Sequence, residues 1–357
     1  MKRLILVALA ICLLLSGCGI FDGNHLYVEP HPPEGGRQEN PNATANNYQE
    51  LCAVLSAMAE SGVQSGAIAV SNYDQSLLTL ELNMAVEETM RTNPVAAWAV
   101  ESIQWELGTS GGRSAVAVSI TYIHDRTEIL QISRVVDMED VKDRIAKELD
   151  NCGTGVVLLL TNYQETDFAQ LVEDYADENP QSVMETPVVV TNVYPQDGTS
   201  RLVELKFNYT TSRDTLRSMQ KQVRTVFDSA TIFVSGYSQQ REKYEALYAF
   251  LMDFLAEGDQ PLKTSITPAY SLLRHGVGDE KAFATVYAAM CREAGLECHV
   301  ISGTYNGAPR HWNMICIDGV YSHLDLLRCS KTGAFHTHTD SQMQEYYWDY
   351  DAVPQSK

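Results

Sequence analysis

No Cys-x-x-Cys and no His-Glu-x-x-His occurs in these 357 residues, so the usual spacing of a zinc site is missing and no metal or other cofactor is expected. Positive charge is scarce. Lys and Arg number 26 against 46 Asp and Glu, a formal net charge of −20. A chain of that sign repels nucleic acid and anionic lipid headgroups, which excludes both as electrostatic partners; solubility is a sufficient reason for the excess. Long apolar runs are also missing, except for Leu4 to Leu15. At a rise of about 1.5 Å per residue that run reaches only about 18 Å, short of a hydrocarbon core of roughly 30 Å. What is present is a hydrophobic fraction of 45%, ordinary for real cores, in a length that suggests two or three domains.

The basic residues Lys2 and Arg3, the apolar run and the small residues Ser16 and Gly17 read together as a secretory signal. Leu15-Ser16-Gly17-Cys18 resembles the lipobox of bacterial lipoproteins. That resemblance implies a lipidated Cys18 as the mature N-terminus and a chain anchored at the extracytoplasmic face of the cell membrane, where two or more acyl chains hold stably. An ordinary cleaved signal is the alternative. Residues 19–47 carry Pro30, Pro32, Pro33, Pro41, Gly35 and Gly36, with little apolar content and no period, and read as a disordered spacer. Cys12 leaves with the signal. Cys52, Cys152, Cys291, Cys298, Cys316 and Cys329 remain, with fifteen full pairings open to them.

An internal repeat follows. Residues 48–62 have a helical period, Ala67 to Val70 a strand, and Ser76 to Arg91 a helix that stops at Asn93-Pro94. Val100 to Leu107 and Ala115 to Tyr122 alternate as strands. The order then recurs: helix Val141 to Asn151, strand Val156 to Leu160, helix Asp167 to Glu178 stopping at Asn179-Pro180, strands Val188 to Val193 and Leu202 to Tyr209. Tyr73 and Tyr163 stand 90 residues apart, and Pro94 and Pro180 stand 86 apart. Matching order and landmarks predict two α-β-α-β-β units, 48–134 and 135–235, each a small sheet with helices on one face. No catalytic cluster stands out in either. Arg213 to Phe227 reads as a further helix, Ile232 to Val234 as a strand, and Tyr244 to Leu255 as a helix.

The C-terminal third carries a frame of separated short matches. Gly278, Phe283 and Ala284 open a helix that ends in Ala294-Gly295-Leu296. Val300 to Gly303, Trp312-Asn313 and Tyr321 to Asp325 lie on three successive strands, and Tyr346-Tyr347-Trp348 with Pro354 closes the segment. Over about residues 236–350 this resembles the transglutaminase-like papain fold. The resemblance implies an α+β domain at 236–357 in which a helix-borne Cys is the nucleophile, a strand His its base and an Asp the orienter. The physical reason is that a helix N-terminus lowers the thiol pKa while the base faces it from a neighbouring strand.

The departures fall on the chemistry. The nucleophile position holds Glu280 and the base position Arg310; only the orienting Asp325 is kept. A guanidinium with a pKa above 12 accepts no proton. Two of the three roles are vacant, which predicts a pseudoenzyme with His311, Trp312 and Asn313 along a possible groove. A charge cluster of Glu280, Arg310 and Asp325 is expected where the triad would stand; two charges solvated on opposite lips of a groove are the other outcome. Asp279 could cap the helix. Cys291 lies eleven residues beyond Glu280 among Ala288, Ala289 and Met290, and reads as a packed thiol. Cys298 and Cys316 are expected on neighbouring strands, as a disulfide or as core thiols. His336-x-His338 is weak metal evidence. The functional expectation is a lipid-anchored interaction protein of the cell envelope, with cell-wall peptide or an extracellular protein as ligand. An active cysteine protease or acyltransferase with a relocated site is the alternative.

Overall fold

The computed structural model describes residues 43–110, 112–253 and 267–356. The expected signal, Cys18 and the expected spacer as far as residue 42 lie outside the described residues. Among the described residues no helix is long and apolar enough to cross a membrane.

The first unit comprises β1 (Ala43–Thr44), α1 (Tyr48–Ser61), β2 (Ser65–Ala69), α2 (Leu78–Thr92), α3 (Pro94–Ala99), β3 (Val100–Ser110) and β4 (Arg113–Tyr122). Asn47 starts α1 by accepting the Glu50 N–H at 3.0 Å, and Gly62, in the left-handed region that a Cβ disfavours, stops it. Leu51, Leu55, Met58 and Ala59 form the buried stripe. Asn93-Pro94 does end α2, as its composition predicts. The same pair also starts α3, because the Asn93 side chain accepts from the N–H groups of Val95 and Ala96 and Pro94 occupies a position that needs no donor. The sheet order is β1-β2-β4-β3, with β1 parallel to β2 and the other pairs antiparallel.

The second unit comprises α4 (Arg126–Leu130), β5 (Ser133–Val135), α5 (Met138–Asp150), β6 (Gly155–Leu160), α6 (Phe168–Glu178), β7 (Val188–Tyr194) and β8 (Arg201–Asn208). Its sheet runs β5-β6-β8-β7, again with only the first pair parallel. Each sheet thus has one strand more than expected. Ala43–Thr44 falls inside the expected spacer and Ser133–Val135 straddles the expected boundary at 134; two and three residues are too few for alternation to register. Trp98 and Val95 of α3 pack on Leu159 and Leu202 of the second sheet, so that sheet is covered on both faces.

The C-terminal body begins with α7 (Arg213–Val234), which runs through the expected strand Ile232 to Val234. The helical stripe Val223, Phe227, Ala230, Val234 continues unbroken, and it outweighs the β-branched composition of the last turn. This stripe, which precedes the expected boundary at 235, packs into the C-terminal core rather than that of the second sheet. Then come α8 (Gln240–Met252), α9 (Pro268–His275), α10 (Glu280–Glu293), β9 (Cys298–Tyr305), β10 (Ala308–Ile317), β11 (Val320–Leu324), α11 (Leu326–Thr332) and β12 (Tyr346–Trp348). Their antiparallel sheet has the order β11-β10-β9-β12. Every residue of α10 from Ala282 to Cys291 is buried, so it is the central helix, wrapped by α7, α8 and α9 on one side and the sheet on the other. Gly303 marks a close approach: a Cβ there would lie 2.2 Å from the Tyr347 carbonyl oxygen and 2.7 Å from the Trp312 ring.

Candidate functional site at the start of the central helix

Asp279 caps α10 by accepting the Ala282 N–H at 2.9 Å, and Glu280 is the first helical residue. Facing it is β10. Successive residues of a strand project to opposite faces, and Asn313 shows which face meets the helix: its Nδ2 donates to the Ala284 carbonyl of α10 at 2.8 Å. His311, Asn313 and Ile315 therefore face α10, while Arg310, Trp312 and Met314 face the second core of the domain, with Ile301, Tyr346 and Trp348.

That alternation splits the expected three-charge cluster into two pairs. His311 is the residue that meets Glu280, with Nδ1 3.8 Å from Oε1. The nitrogen is closed off from solvent and makes no hydrogen bond. Arg310 goes to Asp325 instead, with Nε 3.1 Å from Oδ2 and Nη2 2.8 Å from both carboxylate oxygens. Among the described residues no ion pair joins Glu280 to Arg310, because neighbours on one strand cannot both turn to the helix.

Asp325 is 1% exposed. It lies just past β11, where its Oδ1 accepts the Arg328 N–H at 3.0 Å and caps α11. The Tyr346 hydroxyl donates to its Oδ2 at 2.7 Å, and burial followed by that carboxylate holds the phenol far above its ordinary range. The carboxylate accepts from a guanidinium, a phenol and a backbone amide at once. That satisfies a buried charge, and leaves Arg310 fixed.

A second chain of contacts lies behind it. The Trp312 indole N–H donates to His323 Nδ1 at 3.0 Å, and His323 Nε2 is 2.8 Å from Asp340 Oδ1. An indole nitrogen only donates, so Nδ1 is the acceptor and the neutral imidazole carries its proton on Nε2, toward Asp340. Tyr346 was legible only as part of the closing aromatic run, and Asp340, in a stretch without period, gave no signal. His338 pairs with His323 through the backbone, donating at 2.9 Å and accepting at 2.8 Å, and His336 meets Cys329 Sγ through its own backbone.

Burial holds His323 below its ordinary value of 6.5, with Asp340 partly opposing. Above about 6.5 the imidazole is neutral folded or unfolded. Below that, the unfolded chain takes up a proton that the folded one refuses, so stability is lost as pH falls through the lowered folded value, at about 1.4 kcal/mol per unit of separation. His338 carries the same sign. Unfolding measured between pH 7 and 5 should show stability falling on acidification. His323→Asn, which retains an acceptor for Trp312, should show a shallower fall; parallel slopes would refute the assignment.

Cys291, by contrast, is enclosed in the helical core, and burial pushes its thiol well above the ordinary range. Beside the Glu280–His311 pair, a cleft of about 470 Å³ opens between α6 and the C-terminal sheet, lined by Asp177, Lys281, Thr285, Cys298, Ser302 and His311. The Lys281 ammonium crosses it to Asp177 at 2.7 Å, and the Arg292 guanidinium donates to the Glu178 carbonyl. Trp312 and Asn313, expected along a groove with His311, are both buried and do not line it.

The transglutaminase-like superfamily matches residues 229–348. That segment is a transglutaminase-like domain. Its first residues are the last turn of α7, in keeping with the packing of that helix. Solved structures similar to this chain include "Crystal structure of a TGase", 11% identical with a TM-score of 0.27 over 54% of this chain and 58% of that one. A "Putative Cysteine Protease from Cytophaga hutchinsonii" is 14% identical with a TM-score of 0.25 over 43% of this chain and 66% of that one. This chain therefore spans less than two thirds of either structure. No curated protein matches it. Within the transglutaminase-like domain the arrangement offers buried charge pairing and a lined cleft. Glu280 is no ordinary acyl-transfer nucleophile, and Arg310 is paired through Nε and Nη2 with a carboxylate.

Proposed function

We propose that this protein is an exported lipoprotein, anchored to the membrane through Cys18, whose transglutaminase-like domain binds a ligand at the cell envelope and does not turn it over. The observation that carries the reading is the state of Arg310. It occupies the family's base position, and its guanidinium is taken up by Asp325. Glu280 occupies the nucleophile position, and the one thiol of α10, Cys291, is buried at the far end of the helix. The two preceding sheets are copies of one duplicated unit, a reading supported by their common strand order and sense, and they serve as scaffold or as additional binding surface. A cell-wall peptide or an extracellular protein is the ligand class.

One preparation tests both halves. The protein should sediment with membranes, and after reduction its folded form should show no thiol that iodoacetamide alkylates faster than a free cysteine at neutral pH. A single hyper-reactive, pH-sensitive thiol would overturn the non-catalytic reading. Recovery in the soluble fraction would overturn the anchor.

A further inference from the structure

Six cysteines follow the proposed anchor, and all six are free thiols in the structure. Of these, Cys298 and Cys316 lie on neighbouring strands, which makes them obvious candidates for a bridge; the register rules it out. Cys298 is paired with Ile315 across the β9–β10 ladder, and residues directly opposite each other project to the same face. Ile315 belongs to the core that contains α10, so Cys298 projects there too. Cys316, the next residue along, projects to the other face, where it is paired with Tyr321. A bond between the two sulfurs would have to cross the sheet. The thiol on that face is Cys291, in the last turn of α10: Cys298 packs against the core that holds Cys291. The Leu296 N–H donates to the Cys291 carbonyl at 2.8 Å and folds the connection back on itself. Cys298 also lines the cleft beside His311 and is reached from solvent, whereas Cys291 is buried.

We infer that Cys291 and Cys298 are a covalent cross-linking site, an intramolecular disulfide that fastens the end of the helix carrying Glu280 to the sheet carrying His311. The oxidant is a small-molecule disulfide. The Cys298 thiolate attacks one of its sulfurs, forming a mixed disulfide and releasing one thiolate. Cys291 then attacks the Cys298 sulfur as its proton passes to the thiolate released in the first step; the Sγ–Sγ bond forms, and the second thiolate leaves. The two protons lost by the protein end on the two released thiols; the protein is oxidised by two electrons and the small disulfide reduced by two. Export supplies the compartment in which such a bond persists, and to that extent the inference rests on the proposed location. Its test does not, because the oxidant is added.

The reduced, folded full chain is treated with oxidised glutathione, blocked with iodoacetamide and digested with trypsin without reductant. Cleavage after Lys281, Arg292 and Arg310 puts Cys291 on peptide 282–292 and Cys298 on peptide 293–310. The two peptides are expected as one species, lighter by two hydrogens than their sum, that separates on reduction. Cys298→Ser should abolish it. Recovery of both peptides only in alkylated form, or of 293–310 joined to the Cys316 peptide 311–328, would overturn the proposal whatever the location of the protein.

Discussion

Arg310→Met is expected to destabilise the C-terminal domain by about 3–5 kcal/mol, the usual cost of orphaning one member of a buried ion pair. Asp325 is 1% exposed and cannot turn outward, because the same carboxylate caps α11 and accepts from Tyr346. Those two donors stay after the substitution, but neither carries charge. Removing both charges is different. In Arg310→Met with Asp325→Asn the amide oxygen can still cap α11, and isosteric replacement of a whole buried pair is often near neutral. The double variant should therefore be more stable than Arg310→Met alone, with a coupling well above the 0.2–1 kcal/mol typical of exposed pairs. Urea unfolding of the four chains in a double-mutant cycle measures it. A loss below about 1 kcal/mol for Arg310→Met would put the pair in the exposed class and remove the basis for treating Arg310 as locked.

That pair also marks where sequence reasoning succeeded and where it stopped. A helix with a long apolar stripe was legible, α5 through Val141, Ile145 and Leu149, because the stripe is the same quantity in sequence and in structure; α10, buried on every side from Ala282 to Cys291, was found only through the landmarks at its two ends. Short elements were not legible. β1 and β5 exist only because a longer strand beside them offers a parallel edge, and α3 depends on one asparagine cap. At the site, Glu280 and Arg310 were found by counting back from Ala294-Gly295 and from Trp312-Asn313, and Asp325 as the acid that ends the Tyr321 to Asp325 match. The partners were not, because counting along β10 does not say which face each residue takes. Two hydrogen bonds decide that, Asn313 to Ala284 on one face and Trp312 to His323 on the other. With Asn313 turned to the helix, His311 follows it and Arg310 cannot. The strand expected over Ile232 to Val234 failed for a related reason: local composition favoured a strand, and burial of Phe227, Ala230 and Val234 on one stripe decided for helix.

Trp312→Ala is the second large effect, expected to cost about 3–5 kcal/mol. Trp312 is among the largest fully buried side chains, and it holds the second core of the domain together: its ring meets Tyr346 at 5.1 Å and Trp348 at 5.8 Å, both edge-on. Alanine would leave a cavity bounded by Gly303, whose backbone is pinned by β12 and cannot collapse inward. The loss has two parts, and Trp312→Phe separates them. Phenylalanine retains most of the ring packing but removes the indole N–H, leaving His323 Nδ1 buried without a donor, a desolvation cost of about 1–3 kcal/mol. If packing dominates, Trp312→Phe should recover most of the stability that alanine loses. It should also change the pH dependence, since an unbonded Nδ1 is a better proton acceptor than one held by an indole. The folded imidazole would then lie nearer to 6.5, and less stability would be lost between pH 7 and 5. Trp312→Phe equal in stability to Trp312→Ala would mean that the hydrogen bond, not the ring, carries the position. Because Tyr346 packs on Trp312 and donates to Asp325, loss of the ring should also loosen the Arg310 pair. A triple-variant cycle should therefore give a smaller Arg310–Asp325 coupling in the Trp312→Ala background than in the native one.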